Sequence, residues 1–320
     1  MKWGVLGAAD FARRRMAPAI HAASGAELAA LATSDPAKAE PFQAFAPGLR
    51  VMDDYSALLA DPDIDAVYIP LPNHLHVEWT RKALEAGKHV LCEKPIAMEA
   101  SEIDGLIAAR DASGRLAAEA FMIVHHPQFH RARELVQGGA IGELSLVDCV
   151  FTYNNAGATG NIRNRPETGG GGLPDIGVYA FGAARFVTGA ECQRVENAHV
   201  RFENDVDVFA QVAADFGAFR YQAVVSMRMQ PRQHITFHGD RGHLTLTAPF
   251  NAAAYDQAEL TLETDEGRRT ERWPGVNQYV LQVEAFERAA RGDEPYGCPL
   301  EFSRGTQEMI DAVFAAARNS

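Results

Sequence analysis

The first 121 residues repeat one pattern, a short apolar run, a turn, and then a stretch with apolar residues at helical spacing. The runs are Lys2–Gly7, Glu27–Ala32, a short one at Val51, Ala66–Ile69, His89–Cys92 and Arg115–Ala120. Between them, Leu75, Trp79, Ala83 and Ala86 form one helical stripe, and Ile103, Leu106 and Ile107 form another. Strand and helix alternating in this way predict an α/β fold with a doubly wound parallel sheet, because each crossover lays a helix on one face. In such a sheet all strands end on one edge, and ligands bind in the crevice there. The residues just after each run are therefore the first to examine for chemistry.

After the first run comes Gly7-Ala8-Ala9-Asp10-Phe11-Ala12. Against the dinucleotide fingerprint G-x-G-x-x-G/A this reads Gly7, Ala9, Ala12, with the second glycine missing. It fits a backbone cradle for a pyrophosphate at a helix start, and it also fits a plain tight turn. Thr33, Ser34 and Lys38 follow the second run, where a carboxylate would select NAD. Hydroxyls and a lysine suit the 2′-phosphate of NADP better, although Asp35 lies close, and Thr33, Ser34 or Asp35 could equally cap the next helix. Pro70, Leu71, Asn73 and His76 follow the fourth run. His74 and His76, two apart, do not share a helical face, so no metal pair is expected. Gly87-Lys88-His89-Val90-Leu91-Cys92-Glu93-Lys94-Pro95 is a buried strand stopped by proline, which holds Lys94 at the strand's carboxyl end. A lysine there can move a proton or stabilise charge; it can also be a solvated turn residue.

Beyond Ala120 the pattern changes, and we place a domain boundary there: residues 1–121 as a dinucleotide-binding domain and 122–320 as a second α/β domain. Strand-like runs at Leu144–Tyr153, Val200–Phe202, Val206–Ala213, Phe219–Met227, Gln233–His238 and Leu244–Thr247 predict a large, mainly antiparallel sheet. Helices are expected at Val276–Arg291 and Glu301–Arg318. Ahead of most of these strands, four glycines, Gly169 to Gly172, lead to Asp175 and Tyr179, which share a face if a helix starts at Asp175. Both could reach a substrate hydroxyl; a capping aspartate beside a core tyrosine is the plainer reading.

A net charge of -12 excludes general nucleic-acid or anionic-membrane binding, and no stretch is apolar enough to span a bilayer. Four scattered cysteines without a Cys-x-x-Cys pair suggest neither zinc nor a disulfide framework and fit a reducing cytoplasm.

Taken together, the Gly7–Ala12 turn, Pro72-Asn73-His74-Leu75-His76, the Glu93-Lys94-Pro95 strand end and Gly170–Tyr179 resemble the Gfo/Idh/MocA oxidoreductases, nearly end to end. Within that family the chain looks most like the branch of NADP-dependent D-xylose dehydrogenases, dimeric dihydrodiol dehydrogenase and 1,5-anhydrofructose reductase. The resemblance implies a Rossmann domain and an open-sheet domain used for oligomerisation, as a dimer or tetramer. It also implies hydride transfer between NADP, or NAD, and a sugar, polyol or cyclic-diol carbon. Residues 7 to 12, Thr33, Ser34, Lys38, Pro70, Leu71, Asn73, His76, Glu93 and Lys94 would then meet the cofactor. Asn161, Arg163, His126, Asp175, Tyr179 and Lys94 would meet the substrate. Tyr179 would be the base, its phenolate favoured by the Lys94 ammonium; alternatively Lys94 itself exchanges the proton. Two other outcomes stay open, an NAD-dependent glycoside hydrolase of the same family and a cofactor-binding sensor without turnover.

Overall fold

The computed structural model describes residues 1–318, which fall into two units: Met1–His125 with Asn277–Arg304, and His126–Val276 with the chain from Gly305 onward. In the first unit the apolar runs form β1 (Lys2–Leu6), β2 (Glu27–Ala32), β3 (Arg50–Met52), β4 (Ala66–Ile69), β5 (His89–Cys92) and β6 (Ala117–Glu119). All pair in parallel, in the order β3-β2-β1-β4-β5-β6. The order reverses between β1 and β4, so the crevice for a ligand opens at the carboxyl ends of those two strands. Leu6, Val67, Ile69, Val90 and Cys92 are buried on the sheet, and Leu58, Ile103 and Leu106 close over it from the helices.

The helical stretch after β2 comes in two pieces, a 3-10 turn, Pro36–Lys38, followed by one helical turn, Glu40–Gln43. Asp35 caps the first piece by accepting the Ala37 amide at 3.1 Å, and Pro41 brings no amide to extend a longer ladder. A larger difference concerns the chain's far end. Residues 277–304, which the division at residue 121 assigns to the second domain, group with the first unit. Phe286 of the helix Gln278–Ala290 packs on Trp3 with ring centroids 5.1 Å apart, and the Trp3 indole N–H donates to Glu287 Oε1 at 2.9 Å.

The second unit is built on β7 (Leu144–Asn154), β8 (Arg194–Glu203), β9 (Val206–Asp215), β10 (Arg220–Ser226), β11 (Arg228–Gly239), β12 (Gly242–Leu246), β13 (Glu259–Thr264) and β14 (Gly267–Arg272). Their order is β14-β13-β12-β11-β7-β10-β9-β8; β7 and β10 run parallel, with Cys149 opposite Ala223, and the other pairs are antiparallel. The hairpin β13–β14 is an addition to the strands read from the sequence. Helices Pro127–Gln137 and Val178–Thr188 pack together, with Phe129 against Phe186, and Tyr221 of the sheet donates to the Ala180 carbonyl at 3.0 Å. On the opposite sheet face, His234 and Gln222 both bond to the Asp148 carboxylate.

Candidate active site

The crevice edge of the first unit begins at Gly7, whose φ of +108° is costly for any residue with a side chain and whose amide bonds to the Ala32 carbonyl. A Cβ there would lie 3.0 Å from Leu71, so glycine also lets β1 and the β4 turn close on each other. Ala9, in place of the fingerprint's second glycine, is not among the positive-φ residues. An alanine therefore serves there without backbone strain. Ala8 and Ala9 are half-buried, whereas Asp10 is exposed and tied to Arg13 and Arg14 of its own helix at 2.7 Å each. Phe11 stands edge-on to Tyr279, whose phenol is pushed up to about 12 by burial, with Glu93 adding to the effect. At the tip of β2, the buried Thr33 turns its hydroxyl to the Asp35 amide at 3.3 Å. Ser34 and Lys38 are left as the exposed donors, with the Lys38 ammonium 4.0 Å from the Asp35 carboxylate.

Lys94 lies half-buried on a turn that is held at several points. Glu93 bonds through its amide to the Ile69 carbonyl, and its carboxylate accepts the Tyr68 phenol at 2.6 Å and the Lys94 amide at 3.3 Å. Beyond the cis Lys94–Pro95 bond, the Pro95 carbonyl is 2.7 Å from His76 Nδ1, and the Ile96 amide donates to Glu119 at 2.9 Å. The other ring nitrogen of His76 is 2.7 Å from the Leu71 carbonyl, and the residue is fully buried. His76 thus straps the β4 turn to the β5 turn. Both its nitrogens face backbone oxygens, which corrects the expectation that it contacts a cofactor; burial lowers its pKa despite those two acceptors. Among the residues expected on this edge, Pro70 and Asn73 are partly exposed beside it, and Leu71 is buried under Gly7.

In the second unit the glycine run positions Asp175. Gly171 has a φ of +146°, and a Cβ there would collide with the buried Asp207 carboxylate. Asp207 accepts the Leu173 amide at 2.7 Å and caps the turn Leu173–Gly177, which continues into the helix Val178–Thr188. The helical segment therefore begins at Leu173, two residues before the Asp175 start that would put Asp175 and Tyr179 on one face of a regular helix, and opens with a wide π-type turn. Burial raises Asp207 to about 6, and the nearby Asp175 charge works in the same direction. The Asp175 carboxylate pairs with Arg163 Nε at 2.8 Å and accepts the Tyr153 phenol at 2.6 Å. Burial and that same charge push the Tyr153 phenol far up, which keeps it a neutral donor. Tyr179 is buried against Phe151 and Phe250, each 6.0 Å away by ring centroid, and those two rings stack at 4.7 Å.

Two residues expected to bind substrate hydroxyls also have local roles. Asn161 caps its own short turn by accepting the Arg163 amide at 3.0 Å. His126 is fully buried edge-on to Trp273 and accepts the Gln128 amide at 3.1 Å; burial lowers it to about 4, so it is neutral near neutral pH. The sequence reading gave no role to Tyr68, Tyr153, Asp207, Phe250 or Tyr279. A tyrosine inside the apolar run Ala66–Ile69 looks like core, and nothing in the spacing reveals that Asp207 faces a loop some thirty residues earlier.

A six-stranded sheet in this order, with a tight glycine turn after β1 and a fixed lysine after β5, defines a Rossmann unit of the nicotinamide-dependent kind. Comparison with known proteins makes this specific. The family described as "Oxidoreductase family, NAD-binding Rossmann fold" matches residues 1–121, and the GFO/IDH/MocA C-terminal domain matches residues 129–245. The chain is 38% identical over 310 residues to a dTDP-3,4-didehydro-2,6-dideoxy-alpha-D-glucose 3-reductase of Saccharopolyspora spinosa, covering 96% of this chain and 92% of that one. It is 34% identical over 321 residues to a D-xylose 1-dehydrogenase (NADP(+)) of Haloferax volcanii, covering 99% and 97%. A 3-ketoreductase from Actinomadura kijaniata, crystallised with NADP and TDP-benzene, superposes with a TM-score of 0.91 at 33% identity, covering 99% of this chain and 97% of that one. The chain belongs to the Gfo/Idh/MocA oxidoreductase family.

Proposed function

We propose that the protein is an NADP-dependent oxidoreductase that exchanges hydride with a hydroxyl or carbonyl carbon of a sugar, polyol or related cyclic diol. The observation that carries this reading is the Lys94 turn, tied down by Tyr68 through Glu93, by His76 through Pro95 and by Glu119 through Ile96. A lysine fixed in this way at the carboxyl edge of a Rossmann sheet is preorganised for proton transfer. The residues fit the cofactor: Gly7 and the unstrained Ala9 leave the backbone open to a pyrophosphate, and Ser34 with Lys38 offers exposed donors to a 2′-phosphate. Two relatives point the same way, one named for NADP and one crystallised with it.

Bound NADP(H) supplies or accepts the hydride. In this reading the Lys94 ammonium hydrogen-bonds the substrate oxygen and gives up or takes the proton, and the Tyr179 phenol is a candidate donor to a substrate hydroxyl. Arg163 and Tyr153 hold Asp175, which orients a neighbouring hydroxyl, and the Phe151–Phe250 pair offers an apolar wall to a sugar ring. The A. kijaniata ketoreductase has itself been crystallised with a lysine and, separately, a tyrosine replaced, the two residue types invoked here. Names of reductases and dehydrogenases among the relatives favour cofactor turnover over glycoside hydrolysis. Self-association through the sheet face that carries Asp148 and His234 belongs to the same proposal, and light scattering in solution tests it.

The deciding experiment follows reduced-cofactor absorbance with NADP and NAD against aldoses, inositols, anhydro-sugars, keto-sugars and trans-dihydrodiols, in both directions. Turnover of one class with NADP is expected. Calorimetric NADP binding with no turnover across the panel would overturn the reading.

A further inference from the structure

We propose that Arg228 is a positioning residue for the substrate-orienting pair Arg163–Asp175: its guanidinium clasps together the loop that carries Arg163. This rests on the reading above, in which Asp175 orients a substrate hydroxyl. β10 ends at Ser226 and β11 starts at Arg228, and the Ser226 hydroxyl accepts the Arg228 amide at 3.0 Å across that junction. Arg228 stands opposite Asn154, the last residue of β7, and the pairing resumes only at Arg232 opposite Thr152. Residues 229–231 therefore form a bulge, a feature that re-aims side chains at a strand end. Here the Arg228 side chain meets the chain that leaves β7.

That chain, residues 155–164, is drawn together by the one guanidinium. Nη1 donates to Asn155 Oδ1 at 2.8 Å and to the Met227 carbonyl at 3.0 Å, and Nη2 donates to Asn164 Oδ1 at 3.2 Å. Nε donates to the Glu203 carboxylate at 2.7 Å, which fixes the fork from behind. The Asn164 side-chain nitrogen donates in turn to the Asn155 and Ala158 carbonyls, at 3.1 and 3.0 Å, and closes the loop on itself. Arg163 comes directly before Asn164, and its Nε reaches Asp175 at 2.8 Å. On the far side the Thr168 hydroxyl bonds to the Ile162 carbonyl at 2.6 Å. A Cβ on Gly170 would lie 2.6 Å from the Arg163 carbonyl and 2.7 Å from those of Ile162 and Arg165, so the loop packs against the glycines that lead to Asp175. The Arg228 side chain is 14% exposed, and five N–H groups in fixed directions let it span two amide oxygens at once. A lysine, a point charge on a flexible stem, lacks that geometry. Arg163 is thus set against Asp175 before substrate arrives, which spares the ordering cost at binding.

The test has two arms. In the first, the full-length protein without substrate is treated with trypsin under native conditions, and cleavage of the Arg163–Asn164 bond is timed by mass spectrometry. Trypsin acts there only when Arg163 leaves Asp175 and the loop opens. Arg228→Met keeps the stem and removes the fork, and should be cut there at least about tenfold faster than wild type; Arg228→Lys should not restore the wild-type rate. In the second arm, steady-state rates are taken with the substrate class that turns over. Arg228→Met should raise KM about tenfold and leave kcat within about threefold, with the calorimetric NADP Kd unchanged. A merely structural loss would shrink the active fraction and lower kcat at constant KM. Asp175→Asn should raise KM less in the Arg228→Met background than in wild type, because both substitutions act through one contact. Unchanged cleavage at Arg163, full rescue by lysine, a fall in kcat alone, or additive effects of the two substitutions would each overturn the proposal. Should Arg228→Met fail to fold, Asn164→Ala removes the loop's acceptor and leaves the sheet intact. It should speed cleavage and raise KM in the same way, and wild-type behaviour in it overturns the proposal. A wild type that turns over nothing refutes the parent reading by itself, and the trypsin arm still decides the clasp.

Discussion

Replacing Asp207 by asparagine should change how the protein's stability responds to pH, and the size of the change follows from its burial. Asp207 is 2% exposed, and its carboxyl is raised from 3.8 to about 6. The direction is opposite to that of a salt-bridged carboxylate. The folded state holds the Asp207 proton to higher pH than the unfolded chain does, so this group's contribution is fully present below about pH 4 and is lost as pH rises through about 6. A shift of about 2 units corresponds to about 3 kcal/mol over the whole range, of which about 1.4 kcal/mol falls between about pH 7.5 and about pH 5. The asparagine would not titrate, and its oxygen can still accept the Leu173 amide. Urea unfolding of wild type and variant, followed by circular dichroism, gives the two stabilities at each pH. The difference, wild type minus variant, should grow by about 1.4 kcal/mol in favour of wild type as pH falls from about 7.5 to about 5. Titrating groups that do not interact with Asp207 are common to both chains and cancel, while Asp175, whose charge acts on Asp207, adds a smaller contribution of its own. A difference that stays constant across that range would refute the argument, since it would mean that Asp207 ionises in the fold as easily as in the open chain.

Other outcomes follow from the same contacts. Lys94→Ala should lower kcat at least about a thousandfold while leaving the calorimetric NADP Kd within a few fold; retained activity would remove Lys94 from the mechanism. Tyr179→Phe, which keeps the ring packed on Phe151 and Phe250, should cost about tenfold in kcat. A loss as deep as that of Lys94→Ala would instead make Tyr179 the base. Gly171→Ala forces a left-handed backbone and a clash with Asp207, and should cost about 2–3 kcal/mol in urea unfolding. Lys38→Ala should weaken NADP binding about tenfold and leave NAD binding unchanged by calorimetry; equal effects on both would separate Lys38 from the 2′-phosphate.

The first sheet was legible because its central strands are short apolar runs closed by a residue that stops a strand, Gly7 after β1 and Pro70 after β4. His89–Cys92 begins after Gly87-Lys88 and runs into Pro95, and the structure gives it those bounds. β13 and β14 carry no such mark. Leu260 and Leu262 alternate with threonine and glutamate, and Gly267–Arg272 is polar throughout, so the hairpin resembles loop until it pairs with β12. The helix Gln278–Ala290 was expected from the sequence, but apolar residues such as Val283 and Phe286 say only that something covers them; Trp3 as the partner is a tertiary fact. At the site, the sequence pointed to Lys94, Asp175 and Tyr179 by residue type and position. It could not show that His76 and His126 turn inward, because an edge position fixes where a residue's backbone lies and not which way its side chain is buried. Asp207 was invisible for a similar reason, being a single acidic residue in a strand pattern whose partner is a glycine loop distant in sequence.

The return of residues 277–304 to the first unit has a consequence for how the protein is made. On the ribosome the six strands of the first sheet emerge early, yet the indole N–H of Trp3 waits for Glu287 and its ring waits for Phe286 until nearly the whole chain has been synthesised. A nascent Rossmann sheet of this kind has an unfinished flank during translation of the entire second unit, so its final closure is a late, long-range event. A gene fragment ending at residue 121 would leave that flank permanently open.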